Sequence, residues 1–305
     1  MRVSTVTMFE QSTNALNRQQ GEFLKVGQQI ATGRRVVNPS DDPQASSRAL
    51  AVSQAKAVTE QYADSRISAR NSLSQVESVL NSVSDAIASA KTLLIQGAND
   101  TLSDADRQSV AAELNGIYQT LIGQANATDG NGRYLFGGYK DDVPPFQENA
   151  AGEIAYEGDT NVREQRIDST RLMGVSENGA SIFLRDARGD DADLFATFKN
   201  ALDALENPAG EGFRDTINAS MRELDASLDN VLTRRASVGA RLNELDVVDS
   251  VAGNRMLNYE QTLSDLVDLD YAEAISEYSL RQVGLQAAQK AFVDIKSMSL
   301  FDYLR

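Results

Sequence analysis

The sequence predicts a mainly α fold: a long antiparallel coiled-coil-like helical rod built from both chain ends, with a small β-rich domain inserted in the middle. Three observations predict it. Apolar residues recur every seven positions in both halves of the 305-residue chain, a pattern typical of helices that pack along a seam. Glycines and short strand-like segments concentrate between residues 133 and 190. The two ends of the chain carry opposite charge.

The composition excludes most catalytic and metal-binding chemistry. The chain has no Cys and no His, so it lacks thiol nucleophiles, disulfides, imidazole bases and zinc fingers. Its formal net charge of −15 argues against broad binding to nucleic acids or anionic membranes, since both need clustered Lys and Arg. No apolar run reaches the length of a membrane span. We therefore expect no enzyme activity, no cofactor, no metal site, no nucleic-acid partner and no membrane partner.

The first predicted element is an amphipathic helix within residues 1–35. Its apolar residues, seven positions apart, are Phe9, Leu16, Phe23 and Ile30. Gly33 is suited to end this helix, and the two prolines that follow prevent its continuation. The candidate N-caps of the next helix are Ser40, Asp41 and Asp42.

A second long helix fills the remainder of the N-terminal half. One apolar seam consists of Leu73, Leu80, Ile87 and Leu94, and a companion seam of Ala69, Val76, Val83 and Ala90. A turn is predicted at residues 97–100. Ser103 then caps a third helix, with Asp106 as the acid of a capping box.

The middle of the chain reads as short strands and turns. The predicted strand segments are Tyr134–Phe136, Ile154–Tyr156 and Val162–Ile167, each bounded by Gly, Asp or Asn. A short helix at about 192–205 leads into a long helix over residues 213–266. Its seven-residue repeat is Ile217, Leu224, Val231, Val238, Leu245, Ala252, Tyr259 and Leu266. A companion seam lies four residues further on and consists of Met221, Leu228, Leu242, Met256 and Leu263; polar Arg235 and Asp249 interrupt it.

The last predicted helix begins at Asp270 and should pair with the first. Residues 1–35 contain five basic and two acidic residues, whereas residues 265–305 contain seven acidic and four basic residues. Opposite charges favour this pairing modestly. The predicted domains are therefore terminal helices over residues 1–45 plus 265–305, a helical domain over 46–132 plus 190–264, and the β-rich insertion over 133–189.

Two acidic segments could be mistaken for calcium sites. Asp129-Gly130-Asn131-Gly132 looks like the opening of an EF-hand loop, but Arg133 occupies a ligand position. The acidic segment 186–193 is the second. We interpret both as solvated turns.

Four segments resemble signatures of the flagellin superfamily of bacterial axial proteins. They are residues 33–43, residues 132–139 with 144–146, residues 270–276, and residues 285–289 through 299–304. The signature loop consists of Gly33, Arg34, Asn38, Pro39, Ser40, Asp41, Asp42 and Pro43. The Pro-Ser-Asp-Asp-Pro form of this loop is similar to that of the hook–filament junction members of the superfamily.

The resemblance implies a structural adaptor of the extracellular bacterial flagellum. Such a protein is exported by the flagellar type III apparatus without a cleaved signal, after binding an export chaperone. It assembles as a ring of identical subunits between the other hook–filament junction protein and the flagellin filament. We expect the terminal helices to form the assembly interface, through Phe9, Leu16, Phe23, Ile30, Tyr278, Leu285, Phe292, Ile295, Phe301 and Leu304.

Three alternatives compete with this interpretation. A flagellin filament subunit is the nearest, but flagellin-like tails end in Leu-Leu and this chain ends in residues 298–305 with a different sequence. A cytosolic coiled-coil scaffold would explain the heptads but not the ordered signatures at both ends. An enzyme is the weakest alternative, because the sequence offers no catalytic constellation.

Overall fold

The protein is described here by a computed structural model covering residues 5–150, 152–207 and 212–303, without the side chains of residues 5, 6 and 295–303. The chain forms two compact units: unit 1 is Met1–Val58 with Gly253–Arg305, and unit 2 is Thr59–Ala252. The three-part domain division stays a prediction. The helices are α1 (Thr5–Thr32), α2 (Pro43–Gly97), α3 (Asp104–Ala125), α4 (Gly179–Phe183), α5 (Leu194–Glu206), α6 (Phe213–Val267) and α7 (Tyr271–Tyr303). The strands are β1 (Phe146–Glu148), β2 (Ile154–Tyr156), β3 (Glu164–Asp168) and β4 (Arg171–Gly174).

The predicted fold class is confirmed, since the described residues are mainly helical and helices from the two halves of the chain pair within each unit. The long helix predicted over residues 213–266 corresponds to α6, and the short one at 192–205 to α5. The predicted capping box is present at the start of α3: Ser103 accepts a bond from the amide of Asp106, whose carboxylate accepts one from the amide of Ser103. Local signals therefore placed the helix ends well.

The core of unit 2 lies along the seam between α2 and α6, which run antiparallel. Ion pairs joining Arg70 to Asp246, and Arg235 to Glu77, fix the relative direction of the two helices. The heptad residues predicted from the sequence are fully buried here, Leu73, Leu80, Ile87, Ile217, Val231 and Leu245 among them. Burial of each such side chain contributes about 1.5–3 kcal/mol.

The inserted region contains two antiparallel hairpins. β1 pairs with β2, and β3 pairs with β4 with an irregularity near Arg166. The predicted strand at 154–156 is borne out as β2, and the one predicted at 162–167 is borne out from residue 164 onward as β3, but the one at Tyr134–Phe136 is wrong. There Tyr134 forms only an isolated bridge with Thr128, because the chain turns immediately at Gly137 and at Gly138, whose φ is 68°.

Aromatic packing and one buried amide hold the inserted region on the helices of unit 2. The rings of Phe146, Phe183 and Phe195 pack together with centroids 5.2–5.8 Å apart. Asn230 of α6 is buried and donates from Nδ2 to the carbonyls of Ser181, Ile182 and Arg185 at 2.7–3.0 Å. These bonds satisfy the end of α4, so the insertion packs against the helices as part of one core.

In unit 1, α1 and α7 pair antiparallel and bury much less. Phe9 lies against Phe292 near one end, and Phe23 against Tyr278 near the other. Of the described seam side chains on these two helices, only Val26 and Ala274 are fully buried. An isolated helix pair with a half-exposed seam has little tertiary packing to offset the cost of helix nucleation.

We expect limited proteolysis of the monomer to trim both chain ends, leaving a resistant core from near residue 45 to near residue 265. The physical reason is the contrast between the filled seam of unit 2 and the half-exposed seam of α1 and α7. Mass spectrometry of the digest locates the cuts. Slow amide exchange at Leu16 and Leu285 of the monomer would contradict this expectation, with Leu80 as the slowly exchanging reference within the same chain.

Candidate assembly interface

Four of the terminal-helix residues singled out from the sequence contact one another across the seam between α1 and α7. The rings of Phe23 and Tyr278 have centroids 4.7 Å apart, and those of Phe9 and Phe292 are 5.3 Å apart. Leu16 and Leu285 are half-buried between these two contacts, and Ile30 is half-buried near the end of α1. The seam is therefore built from both ends of the chain.

Part of the predicted interface lies outside the described residues. The side chains of Ile295 and Phe301, which are on α7, and the whole of Leu304 belong to this part. Their roles stay predictions.

Two glycines lie where α1 and α7 contact each other. Gly27 of α1 faces the ring of Tyr278, where an added Cβ would lie 3.7 Å from Cε2. Gly284 of α7 faces the side chain of Gln19 in the same way. A larger side chain at Gly284 would have to displace Gln19, since the added Cβ would lie 3.2 Å from its Oε1.

Electrostatics makes a small contribution to this pairing. The opposite net charges of the two chain ends predict a modest attraction between them. One ion pair across the two helices joins Arg281 of α7 to Glu22 of α1, and Arg281 is also bonded to Glu277 on its own helix. The pairing is therefore carried mainly by apolar and aromatic contacts, and the exposed ion pair adds at most about 1 kcal/mol.

Sequence reasoning missed two sets of residues on these helices. Val26 and Ala274 are buried in the seam, and their spacing of three or four residues from Phe23 and Tyr278 was the available signal. A second apolar stripe, on the opposite side of α7, includes Leu280 and Val283, which are 71% and 63% exposed. Their three-residue spacing was also available, but the sequence alone does not show which stripe faces α1.

The signature loop forms a locked joint between α1 and the turn that joins α6 to α7. The amide of Leu269 donates to the carbonyl of Gly33 at 3.1 Å, and the amide of Arg35 donates to the carbonyl of Val267 at 2.8 Å. The Arg35 guanidinium donates to the carbonyl of Leu266 at 2.7 Å. Arg35 was not among the predicted site residues, because the sequence alone does not distinguish it from the adjacent Arg34.

Gly33 must be glycine for this joint to form. Its φ is 68°, in the left-handed region that side chains disfavour. A Cβ at this position would lie 2.9 Å from the hydroxyl of Tyr271. The prediction that Gly33 ends the first helix is confirmed, since α1 ends at Thr32.

Two carboxylates organise the rest of the loop. Asp41 accepts a bond from the amide of Asn38 and pairs with Lys25, and both interactions lower the pKa of the Asp41 carboxyl. Asp42 accepts a bond from the amide of Ala45 and so is the N-cap of α2. That amide, and after it the Arg35 guanidinium, lowers the pKa of the Asp42 carboxyl.

The remaining signature residues lie on the surface of the joint. The backbone of Arg34 forms a bridge with Asp268. The side chains of Arg34, Asn38, Pro39 and Ser40 are exposed, and Pro43 is exposed as the first residue of α2. The structure thus separates loop residues that hold the joint together from loop residues available to other molecules.

The two acidic segments form turns, as predicted. The Asp129 carboxylate accepts bonds from the amides of Asn131 and Arg133. Asp186 does the same with the amides of Arg188 and Asp190. Within the described residues there is no group of three acidic side chains that could hold a metal ion, and no described helix is both long and apolar enough to cross a membrane.

The comparisons with known proteins agree with the signatures at both ends of the chain. Residues 3–141 match the family described as the bacterial flagellin N-terminal helical region. Residues 221–304 match the family described as the bacterial flagellin C-terminal helical region. Together the two matches cover more than half of the chain.

Curated proteins and a solved structure similar to this chain indicate a more specific family within the flagellins. The chain is 41% identical to the flagellar hook-associated protein 3 of Salmonella typhimurium, with 100% of both chains covered. It is 40% identical to the protein of the same name from Escherichia coli, with 99% of both covered. A solved flagellar hook-associated protein from Vibrio parahaemolyticus matches with a TM-score of 0.69 and 27% identity, covering 75% of this chain and 100% of that one. The chain therefore belongs to the flagellin family and, within it, to the flagellar hook-associated protein 3 family.

Proposed function

We propose that this chain is a structural adaptor of the bacterial flagellum, joining the hook and its first junction protein to the flagellin filament. Its terminal helices assemble with those of identical subunits to form a ring. The observation that carries this proposal is the pair of terminal helices, whose apolar residues exceed what one chain can bury. The membership of the hook-associated protein 3 family supports it over the flagellin alternative.

The apolar surface of α7 supports assembly with copies of the same chain. One stripe faces α1, whereas Ile275, Leu280 and Val283 are each more than half exposed on the rest of the helix. Exposed apolar side chains in such a row lose contact with water when neighbouring helices pack on them. A ring of subunits would supply those helices.

The route to the flagellum is part of the same proposal. The chain leaves the cell through the flagellar export apparatus without a cleaved signal, after binding an export chaperone. Marginally stable terminal helices suit this route, because they can be threaded through a narrow channel and then ordered on assembly. The proposal assigns the chain no catalytic role and no nucleic-acid or membrane partner.

A clean deletion of the coding sequence tests the function. We expect complete hooks without filaments, and flagellin monomers in the medium, because the filament has no base on which to assemble. Electron microscopy and immunoblots of culture supernatants give the readout, and expression of the intact chain in trans serves as the control. Normal filaments on the deletion strain would refute the adaptor function.

Substitution of seam leucines tests the assembly interface. Leu285→Asp or Leu16→Asp places a carboxylate on the half-buried seam, where desolvation without a partner is unfavourable. We expect either variant to be lost from sheared flagella, while the far-ultraviolet circular dichroism of the isolated chain stays close to that of the wild type.

The control for this experiment is Gln286→Asp, which adds the same charge at the adjacent, exposed position of α7. It should be incorporated normally. Incorporation of Leu285→Asp at the level of Gln286→Asp would show that the seam is not needed for assembly.

The locked joint provides a further prediction, because it sets where α1 and α7 begin to pair. Gly33→Ala should destabilise the joint by about 1–2 kcal/mol, since alanine disfavours the left-handed backbone conformation and its Cβ would meet Tyr271. Gly21→Ala is the matched control: nothing lies within 4 Å of an added Cβ there, so helix propensity should make it neutral or stabilising. Thermal unfolding and amide exchange of α1 measure both, and equal behaviour of the two variants would contradict the prediction.

A further inference from the structure

Two polar layers interrupt the apolar seam between α2 and α6 in unit 2. In the first, buried Arg66 is ion-paired with Asp249, and Arg70 donates to the same carboxylate at 2.7 Å. In the second, Arg235 donates to Oε1 of Glu77 from two nitrogens, at 2.8 and 3.1 Å. The two charges that break the heptad pattern of α6 are thus both matched by charges on α2.

Without these layers, the seam would permit more than one alignment. The apolar repeat has the same seven-residue period on both helices, and most of its positions hold Leu, Ile, Val or Ala. A slip of one heptad moves one helix by about 10 Å along the other, and it again brings apolar residues opposite apolar residues. Apolar burial alone therefore discriminates poorly between these registers.

The charged side chains of the two polar layers make the slipped registers much less favourable than the native one. A slip of seven residues in one direction brings Asp249 level with Leu73 instead of Arg66, and leaves Arg66 buried without a carboxylate. A slip in the other direction brings Arg235 level with Arg70, a charge of the same sign. Either arrangement desolvates an ion without a partner, which is far less favourable than the native pairing.

The β3–β4 hairpin contacts both helices and is consistent with only one register. Arg66 of α2 donates to the carbonyl of Ile167, at 3.0 Å, on one strand. On the other strand, Arg241 of α6 donates to the carbonyl of Gly174 at 2.8 Å, and Arg171 pairs with Glu244 at 2.6 Å. If α6 slipped along α2, the contacts that Arg241 and Glu244 make with one strand would move away from the contact that Arg66 makes with the other, and one hairpin could not keep both.

We propose that these two polar layers are a register-selecting device of the α2–α6 pair. Their role is specificity rather than stability, because a buried ion pair contributes little compared with well-packed apolar side chains. By fixing the alignment of the two helices, they fix the place at which the hairpin and α4 attach. The proposal is independent of the assembly function, because it concerns the folding of a single chain.

The absence of Cys from the chain permits a direct test by cross-linking. Lys91 and Asp225 are ion-paired across α2 and α6, so Lys91→Cys with Asp225→Cys reports the native register to a short bismaleimide. Lys91→Cys with Leu232→Cys, or with Asn218→Cys, reports a slip of seven residues in either direction. Leu232 and Asn218 are exposed, so the reporters do not alter the seam.

The test variant replaces both layers by leucine: Arg66→Leu, Glu77→Leu, Arg235→Leu and Asp249→Leu. In the wild-type background the slipped pairs should react to less than about a tenth of the native yield. In the fourfold variant we expect the summed slipped yield to rise at least about fivefold, with helix content retained. The control is Asp100→Leu with Arg214→Leu, which removes an exposed ion pair between α6 and the turn that follows α2 and should leave the register native.

Each outcome decides the proposal. Slipped products in the fourfold variant but not in the control would support it. Native product alone in the fourfold variant would overturn it, because the apolar seam and the hairpin would then suffice. If the fourfold variant does not fold, Glu77→Leu with Arg235→Leu removes one layer, and slipped product at the control level in that variant would likewise overturn the proposal.

Discussion

The burial of apolar heptads between antiparallel helices from distant parts of the chain is the interaction on which the rest of the structure depends. Most of the stability of α2 and α6 comes from the packing of their apolar faces, because backbone hydrogen bonds contribute little to an amphipathic helix in water. Paired, they bury a long row of Leu, Ile and Val side chains. The inserted hairpins, α4 and α5 then attach to this row by aromatic packing and through Asn230.

The same interaction is incomplete in unit 1, and this difference connects the fold to the function. The seam of α1 and α7 has aromatic contacts at both ends, but most of its described apolar side chains stay half-exposed. This imbalance between the two helix pairs suits the proposed function, in which the chain is exported as a monomer and its terminal helices become ordered in a ring. Complete burial within one chain would leave no apolar surface for neighbouring subunits.

Polar groups in this protein determine geometry more than they add stability. Arg35, Asp42 and the backbone of Gly33 hold the joint through directional bonds that only one arrangement satisfies. The Arg66–Asp249 and Glu77–Arg235 layers likewise select one alignment of α2 with α6. In both places apolar packing supplies the driving force, and the buried or partly buried polar groups select one geometry.

The sequence by itself determined the helical class, most helix ends and the family. Seven-residue periodicity, the capping box at Ser103 and the turn at Gly33 are local signals, and each operates within one or two helical turns. They located α3, α5 and α6 closely and indicated the pairing of the terminal helices. The strand expected at Tyr134–Phe136 failed because the chain turns at Gly137 and Gly138, which lie against Asp159, more than twenty positions further along the chain.

Only the tertiary structure decided which apolar stripe of α7 faces α1, and which residues anchor the signature loop. Leu280 is more apolar than Tyr278, yet Leu280 is 71% exposed whereas Tyr278 lies against Phe23. Arg34 and Arg35 are adjacent and identical in chemistry, but only the guanidinium of Arg35 reaches the end of α6. These distinctions depend on the rotation of one helix about its axis and on the path of a loop, which are set by contacts between residues more than two hundred positions apart.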